Sequence, residues 1–273
     1  HPFKILYSCT ICAVYLFEWH KSCTSSCANF TAMRNLTTIG KALTRRTKFL
    51  LKKNPDRFLR KITGVVHVGA NTGQELKTYA KHGLAVIWIE PIPDVFEKLQ
   101  SNLVGIPGQI ALQGLVTDRD NAAYHFHLAS NNGASSSILD LNLHQDIWPD
   151  ISYEKTIELH SKTLSSLLKD NNVVLSDYDM LIIDTQGSEL LVLKGAVPIL
   201  HHFRYIQTEV PDFEAYKDCC QLKDLQLFLG QYGYGEVSRR KFATHPDGGS
   251  YLDIIYKRSQ ILDHHLIYEN KYI

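Results

Sequence analysis

The sequence predicts an α/β fold, a three-layer sandwich with helices on both faces of a mainly parallel sheet. Three observations carry this reading. Short apolar, β-branched runs recur at 65–68, 85–89 and 180–183, as strands buried on both faces require. Amphipathic stretches of helical spacing separate them. Glycines stand where these segments end (Gly69, Gly83, Gly105, Gly195, Gly233), so strand and helix alternate along the chain.

Taken in order, the first strand ends at Gly69, and 74–82 reads as a helix stopped by Gly83. The second strand, 85–89, runs into Glu90-Pro91, and the helix 94–103 is closed by Gly105 and Pro107. Residues 110–116 and 123–128 read as strands, 130–137 as a Ser/Asn/Gly-rich loop, and 162–169 as a helix. The strand 180–183 ends in Asp184 and is followed by a helix at 189–193. Then come a strand at 205–210 carrying Glu209, an amphipathic helix at 222–231 and a late strand at 251–256. No repeat and no long linker interrupts this succession, so one domain is expected over 63–258. A basic helical segment at 33–62 precedes it and a tail at 259–273 follows.

Composition narrows the class. Of 273 residues, 44% are hydrophobic and 21% charged, which suits a globular chain and excludes disorder and collagen-like repeats. The net charge of +1 argues against a whole-surface nucleic-acid binder. No apolar run reaches the roughly 18 residues needed to span a bilayer. Cys9, Cys12, Cys23 and Cys27 crowd the first part of the chain, leaving only Cys219 and Cys220 for the core, so a disulfide-stapled fold is not expected. The early four form a CxxC…CxxxC pattern, but their short gap lacks the turn glycines of a zinc ribbon, and no metal site is assigned. A reducing, cytoplasmic setting is expected for the domain.

Residues 1–32 differ from the rest and read as a leader or anchor, a disordered tail, or an upstream extension ahead of Met33. Two glycosylation sequons, at Asn29 and Asn35, matter only if the chain is exported. Between 41 and 61 nine basic residues face one acid, with Leu43, Phe49, Leu50, Phe58 and Leu59 interleaved. Either the apolar side packs on the domain with the basic side solvated, or the segment touches an anionic membrane surface or an acidic glycan.

Ligands of open α/β sheets bind at the carboxyl ends of the strands. Those ends are Gly69-Ala70-Asn71-Thr72-Gly73, Glu90, Val116 to Asp118, Asp184 and Glu209. A glycine loop admits a ligand close to the backbone, and an acid about twenty residues later suits the two hydroxyls of a ribose. The loop reads G-x-x-x-G, with Asn71 where a dinucleotide fingerprint needs its second glycine, and no phosphate loop occurs elsewhere. A ribose ligand without phosphates fits better, and S-adenosylmethionine is the common one.

These residues carry a resemblance. Val66-His67-Val68-Gly69-Ala70-Asn71-Thr72-Gly73 is similar to the cofactor loop of the FkbM-type S-adenosylmethionine-dependent methyltransferases. Ile89-Glu90-Pro91 with Asn102, Leu181-Ile182-Ile183-Asp184-Thr185-Gln186-Gly187-Ser188-Glu189, Leu193-Lys194-Gly195-Ala196 and Thr208-Glu209-Val210 resemble its further motifs in the same order. The resemblance implies a Rossmann-like methyltransferase sandwich with a late antiparallel strand. It also implies O-methylation of a hydroxyl on a sugar, glycolipid or small natural product.

His67, Gly69, Ala70, Asn71, Gly73, Glu90, Pro91, Val116 and Asp118 are then the candidates for holding the cofactor. Asp184, Glu209 and His245 are the candidates for catalysis, with Glu189, inside the following helix, less direct. Three positions depart from the family pattern. His67 stands in place of an Asp and reads either as a buried strand histidine or as a cofactor contact. Gln186 replaces a Glu, and Thr163-Leu164-Ser165 replaces T-L-D. If that Glu is catalytic in relatives, this chain is weakened or serves as a non-catalytic cofactor-binding scaffold. A nicotinamide-dependent oxidoreductase shares the sheet and Glu90 but lacks the fingerprint glycines. Asp184 also has a bland reading as a helix cap, and His245 one as an exposed loop residue.

Overall fold

The computed structural model describes residues 57–259. The readings for 1–32, Met33, the early cysteines, both sequons, the basic segment up to 56 and the tail from 260 lie outside the described residues. A turn of 3₁₀ helix at Leu59–Lys61 leads into β1 (Gly64–Val68), α1 (Leu76–Lys81), β2 (Ala85–Glu90), α2 (Pro93–Leu103) and β3 (Gln109–Gln113). There follow β4 (Leu115–Val116), β5 (Ala123–Ala129), α3 (His144–Ile147), β6 (Tyr153–Lys162) and α4 (Leu164–Asp170). The chain continues through β7 (Met180–Ile183), α5 (Glu189–Gly195), β8 (Tyr205–Pro211), α6 (Leu222–Gln231), β9 (Tyr234–Thr244) and β10 (Ser250–Arg258).

Seven strands make one sheet in the order β3-β2-β1-β7-β8-β10-β9. Neighbours from β3 to β8 pair in parallel, and β10 runs antiparallel to both β8 and β9. Every residue of β1 and β7 is buried, which is what their continuous apolar sequence encodes. Val66, Val68, Leu181, Ile183 and Ile206 face Leu164, Leu168, Val192, Leu193, Leu225 and Leu229 of α4, α5 and α6. On the other face Val65, Val86, Trp88 and Met180 meet Tyr79 of α1 and Leu99 and Leu103 of α2. Val95, Leu99 and Leu103 recur every fourth residue, so α2 buries one stripe, and Pro93 opens it where no N–H partner is required.

The apolar residues at the end of the basic segment pack against this second face. Phe58, Leu59 and Ile62 are buried, Phe58 meeting the Tyr205 ring edge-on at 5.6 Å, while Arg60 and Lys61 are exposed. No described helix is long and apolar enough to cross a membrane.

Three differences from the sequence reading matter for the site. The strand expected over 110–116 is broken at Gly114, where the chain leaves the large sheet for a second one ordered β4-β6-β5. Lys162 ends β6 instead of opening a helix. Thr163, in an extended conformation, accepts from the Ser166 N–H at 3.1 Å and starts α4 there. The strands β6 and β9 had not been expected. The insertion that carries β5 and β6 folds its 130–137 loop back through a bridge between His127 and Ser137, toward the carboxyl ends of β1 and β7.

Candidate active site

The register of the sheet aligns the strand ends. Val68 pairs with Ile89 on one side and Ile183 on the other, and Ile183 with Thr208. One step further along each strand lie Glu90, Gly69, Asp184 and Glu209. Glu209 pairs in turn with Asp253, and Asp253 with Arg240. A row of carboxylates thus crosses the sheet, with Gly69 between Glu90 and Asp184. A cleft lined by Gly69, Glu90 and Asp184 opens at this end of the row, leaving Glu209 and Asp253 outside its wall.

Gly69 is glycine for two reasons. Its φ is +82°, and a Cβ there would stand 1.7 Å from the Asp184 carbonyl oxygen. The N–H groups of Gly69 and Ala70 both donate to the Ile89 carbonyl at 3.0 Å, which ties the loop to β2. Asn71, in the left-handed region at φ 46°, aims its N–H at Glu90 Oε2, 2.9 Å away, and its side-chain Nδ2 at the Asn132 carbonyl, 3.3 Å. Asn102 of α2 holds the loop from behind, donating to the Thr72 carbonyl at 2.9 Å.

Glu90 is 4% exposed, and its other oxygen accepts from the Ile92 N–H at 2.9 Å. Burial pushes its carboxyl up to about 7, against the pull of those two N–H groups. Each carboxylate oxygen has a second lone-pair site, so Glu90 can still accept from a diol. Ile92, Leu115 and Phe126 give the same cleft an apolar wall.

His67 reconciles its two readings in position. It is 4% exposed and stacked on Trp88 with ring centroids 5.6 Å apart, its Nδ1 3.3 Å from the Tyr79 hydroxyl, yet it also lines the cleft. Burial lowers its imidazole below the ordinary value, partly opposed by Glu75.

Across the glycine, Asp184 donates its N–H to the Val68 carbonyl at 2.9 Å. Its Oδ1 accepts from Gln186 Nε2 at 2.6 Å, and its Oδ2 accepts no hydrogen bond from the described residues. Burial first, then the charges of Glu189, Glu75 and Asp253, push the Asp184 carboxyl up to about 7 against the Gln186 donation. Gln186 has φ +53° and is held at its far end by the Tyr216 hydroxyl, which donates to Oε1 at 2.7 Å. Glu189 faces inward. At 1% exposure it accepts from the N–H groups of Thr185 and Gly187 (3.0 and 3.1 Å) and from the Cys220 thiol at 3.3 Å, so it shapes the turn after β7.

Of the expected cofactor residues, His67, Gly69, Asn71, Glu90, Pro91 and Val116 line the cleft, as does Asp184. The others stand elsewhere. Ala70 is buried beneath the loop, and a Cβ on Gly73 would meet Leu99 Cδ1 at 3.0 Å, so both serve packing. Asp118 lies beyond the point where the chain has left the large sheet, and it pairs with Arg119 at 3.1 Å. Glu209 neighbours Asp184 on the next strand but is not part of the cleft wall; burial and the Asp184 charge push its carboxyl well above the usual range.

His245 is neither exposed nor in the cleft. It is 4% exposed, its Nε2 meets Asp146 at 2.9 Å, and its Nδ1 accepts from the Asp247 N–H at 3.2 Å. With both nitrogens engaged it pins the turn before β10 to α3. Residues not singled out as contacts also line the cleft: Gln74 and Glu75, and from the insertion Phe126, Gly133, Ala134 and Ser136. Gln74 and Glu75 directly follow the glycine loop that resembles the family's, whereas Gly133, Ala134 and Ser136 were signalled only by the Ser/Asn/Gly-rich loop, which does not say where that loop goes. Among the described residues no group of three His, Cys, Asp or Glu side chains could hold a metal ion.

A family model described as the methyltransferase FkbM domain matches residues 67–235. No curated protein matches the chain. Among solved structures, an uncharacterized protein from Listeria monocytogenes serotype 4b aligns at 12% identity over 77% of this chain and 69% of that one, with a TM-score of 0.43. A protein of the NADB-Rossmann superfamily from Streptococcus agalactiae aligns at 11% identity, 77% and 69% coverage and a TM-score of 0.42. The magnesium protoporphyrin IX methyltransferase of Synechocystis PCC 6803, with bound S-adenosylmethionine, aligns at 12% identity, 86% and 87% coverage and a TM-score of 0.39.

Proposed function

The chain belongs to the FkbM methyltransferase family, and on that premise we propose that it carries the methyl group of S-adenosylmethionine to a hydroxyl oxygen of a sugar, glycolipid or other small acceptor. The observation that carries this reading is the pairing of two carboxylates, Glu90 and Asp184, on either side of Gly69 in one cleft.

The cleft fits the cofactor on its own chemistry. Glu90 is a buried acceptor, preset by two N–H groups, that can take the hydroxyls of a ribose, and Ile92, Leu115 and Phe126 offer an apolar wall to an adenine. Bound S-adenosylmethionine supplies an electrophilic methyl group on sulfur. The residues of the chain must align an acceptor oxygen and remove its proton. The reading of Asp184 as the group for the second task is supported by one of its oxygens being held by Gln186 while the other accepts nothing from the described residues. Gln186 keeps the shape of the family's Glu and donates to Asp184 where a Glu would bring a second negative charge, so the departure leaves a base in the site.

Two measurements test this reading. Calorimetry with S-adenosylmethionine should show Glu90→Ala binding roughly ten- to a hundredfold more weakly, as the loss of charge-assisted hydrogen bonds implies; unchanged affinity would remove Glu90 from the ribose role. A panel of sugars, glycolipids and small hydroxylated compounds should be incubated with methyl-labelled cofactor. Label is expected on an oxygen. Label on nitrogen, or bound cofactor that is never converted to S-adenosylhomocysteine, counts against O-methylation.

A further inference from the structure

The amide of Gln186 can meet Asp184 with either end, and the two orientations favour opposite protonation states. With Nε2 toward it, the carboxylate is held as an acceptor and is ready to take a proton. With Oε1 toward it, the favoured partner is a carboxyl that has already kept one. The surroundings select the first. Nε2 donates to Asp184 Oδ1 at 2.6 Å, and Oε1 accepts from the Tyr216 hydroxyl at 2.7 Å. Tyr216 itself is 1% exposed, its ring packed on His144 with centroids 4.9 Å apart.

Tyr216 sets the direction of donation. Burial drives its phenol well above the ordinary value, so the hydroxyl keeps its proton and is available to donate. The two links run one way, from Tyr216 to Gln186 and from Gln186 to Asp184. Hydrogen bonds polarised in one sense reinforce one another.

We propose that Tyr216 is a positioning residue for methyl transfer: by donating to Gln186 Oε1 it locks the amide so that Nε2 holds Asp184 as a proton acceptor. Its catalytic meaning rests on the reading of Asp184 as the base; the lock itself does not. The charged groups facing Asp184 are Glu189 of α5, Glu75 just before α1, Glu209 of β8 and Asp253 of β10, the last paired with Arg240 of β9. Removing one phenolic oxygen leaves all of these in place.

The test follows Asp184 directly, by carboxyl-carbon NMR titration of the cofactor-free protein, with the signal assigned by its disappearance in Asp184→Asn. Tyr216→Phe should raise the midpoint by about one pH unit, a tenfold gain in proton affinity. In a Gln186→Leu background Tyr216→Phe should add nothing, a result that general loosening would not produce. An unmoved midpoint in Tyr216→Phe, or an equal shift with and without Gln186, overturns the proposal. Should Tyr216→Phe fail to fold, Tyr216→Met, which also lacks the hydroxyl, decides in the same way: a raised midpoint supports the lock and an unmoved one overturns it. A raised midpoint combined with full turnover in Asp184→Asn keeps the lock and overturns its catalytic role.

Discussion

Asp184→Asn is expected to lower methyl transfer about 10²–10⁴-fold, the contribution of a placed general base, while folding and cofactor affinity stay intact. Asparagine keeps the shape and an oxygen that Gln186 Nε2 can reach, so the substitution removes the proton acceptor and little else. The pH profile sharpens the expectation. Burial raises the Asp184 carboxyl to about 7, so the unprotonated, working form is gained as pH rises through that value. Turnover of the native protein should climb across this range, and the residual turnover of the variant should not. The competing role for Asp184, a helix cap, does not fit: the N-cap of α5 is Ser188, and the Asp184 carboxylate accepts from the Gln186 side chain instead of a helix N–H. Turnover within a few-fold of the native protein would mean the base lies elsewhere, with Glu209 the nearest carboxylate on the adjacent strand.

Gly69→Ala should be the most damaging single methyl group in the described fold. A Cβ would fall 1.7 Å from the Asp184 carbonyl oxygen, backbone that can move only if β1 and β7 separate, and φ of +82° adds roughly 1–2 kcal/mol of strain. A total of about 3–5 kcal/mol is expected, lowering the melting temperature by about 10 °C. Gly83→Ala is the internal control. It has a similar φ of +67° but nothing within 4 Å of the added carbon, so only the conformational strain applies. Thermal melting of both variants decides the matter: equal losses would show that the contact between the β1 and β7 ends is not the constraint.

Much of this architecture was legible because its signals are local. Strands buried on both faces are apolar runs, and the glycine loop at 69–73, Glu90 and Asp184 each sit at the end of such a run. β9 escaped notice because an edge strand with its residues mostly exposed carries polar side chains (Glu236, Arg239, Arg240) that read as a loop. β6 does alternate, with half-buried Ile157 and Leu159 between exposed Glu158 and His160, but its other positions dilute the pattern.

The site was harder to read where proximity comes from pairing between distant segments. Asp118 follows a strand end in sequence, yet Gly114 had already turned the chain away from the large sheet. His245 sits in a turn-rich stretch that looks exposed, and its burial depends on Asp146, ninety-nine positions earlier. The locked orientation of Gln186 needs Tyr216, thirty positions on, and no spacing rule announces it.

The cleft has two sources of wall that are separately supported. Its floor is the ends of β1, β2 and β7, fixed by the parallel register at the centre of the sheet. Its roof is the insertion, whose Phe126, Gly133, Ala134 and Ser136 reach the same space from a small sheet of their own. Hydrogen bonds join the two, Asn71 to the Asn132 carbonyl and Ser137 Oγ to the Gln186 carbonyl at 2.8 Å, and Ile92 and Val95 pack against Leu115 and Phe126. Substitutions in the 130–137 loop can therefore reshape the roof while the registered strand ends beneath it stay in place.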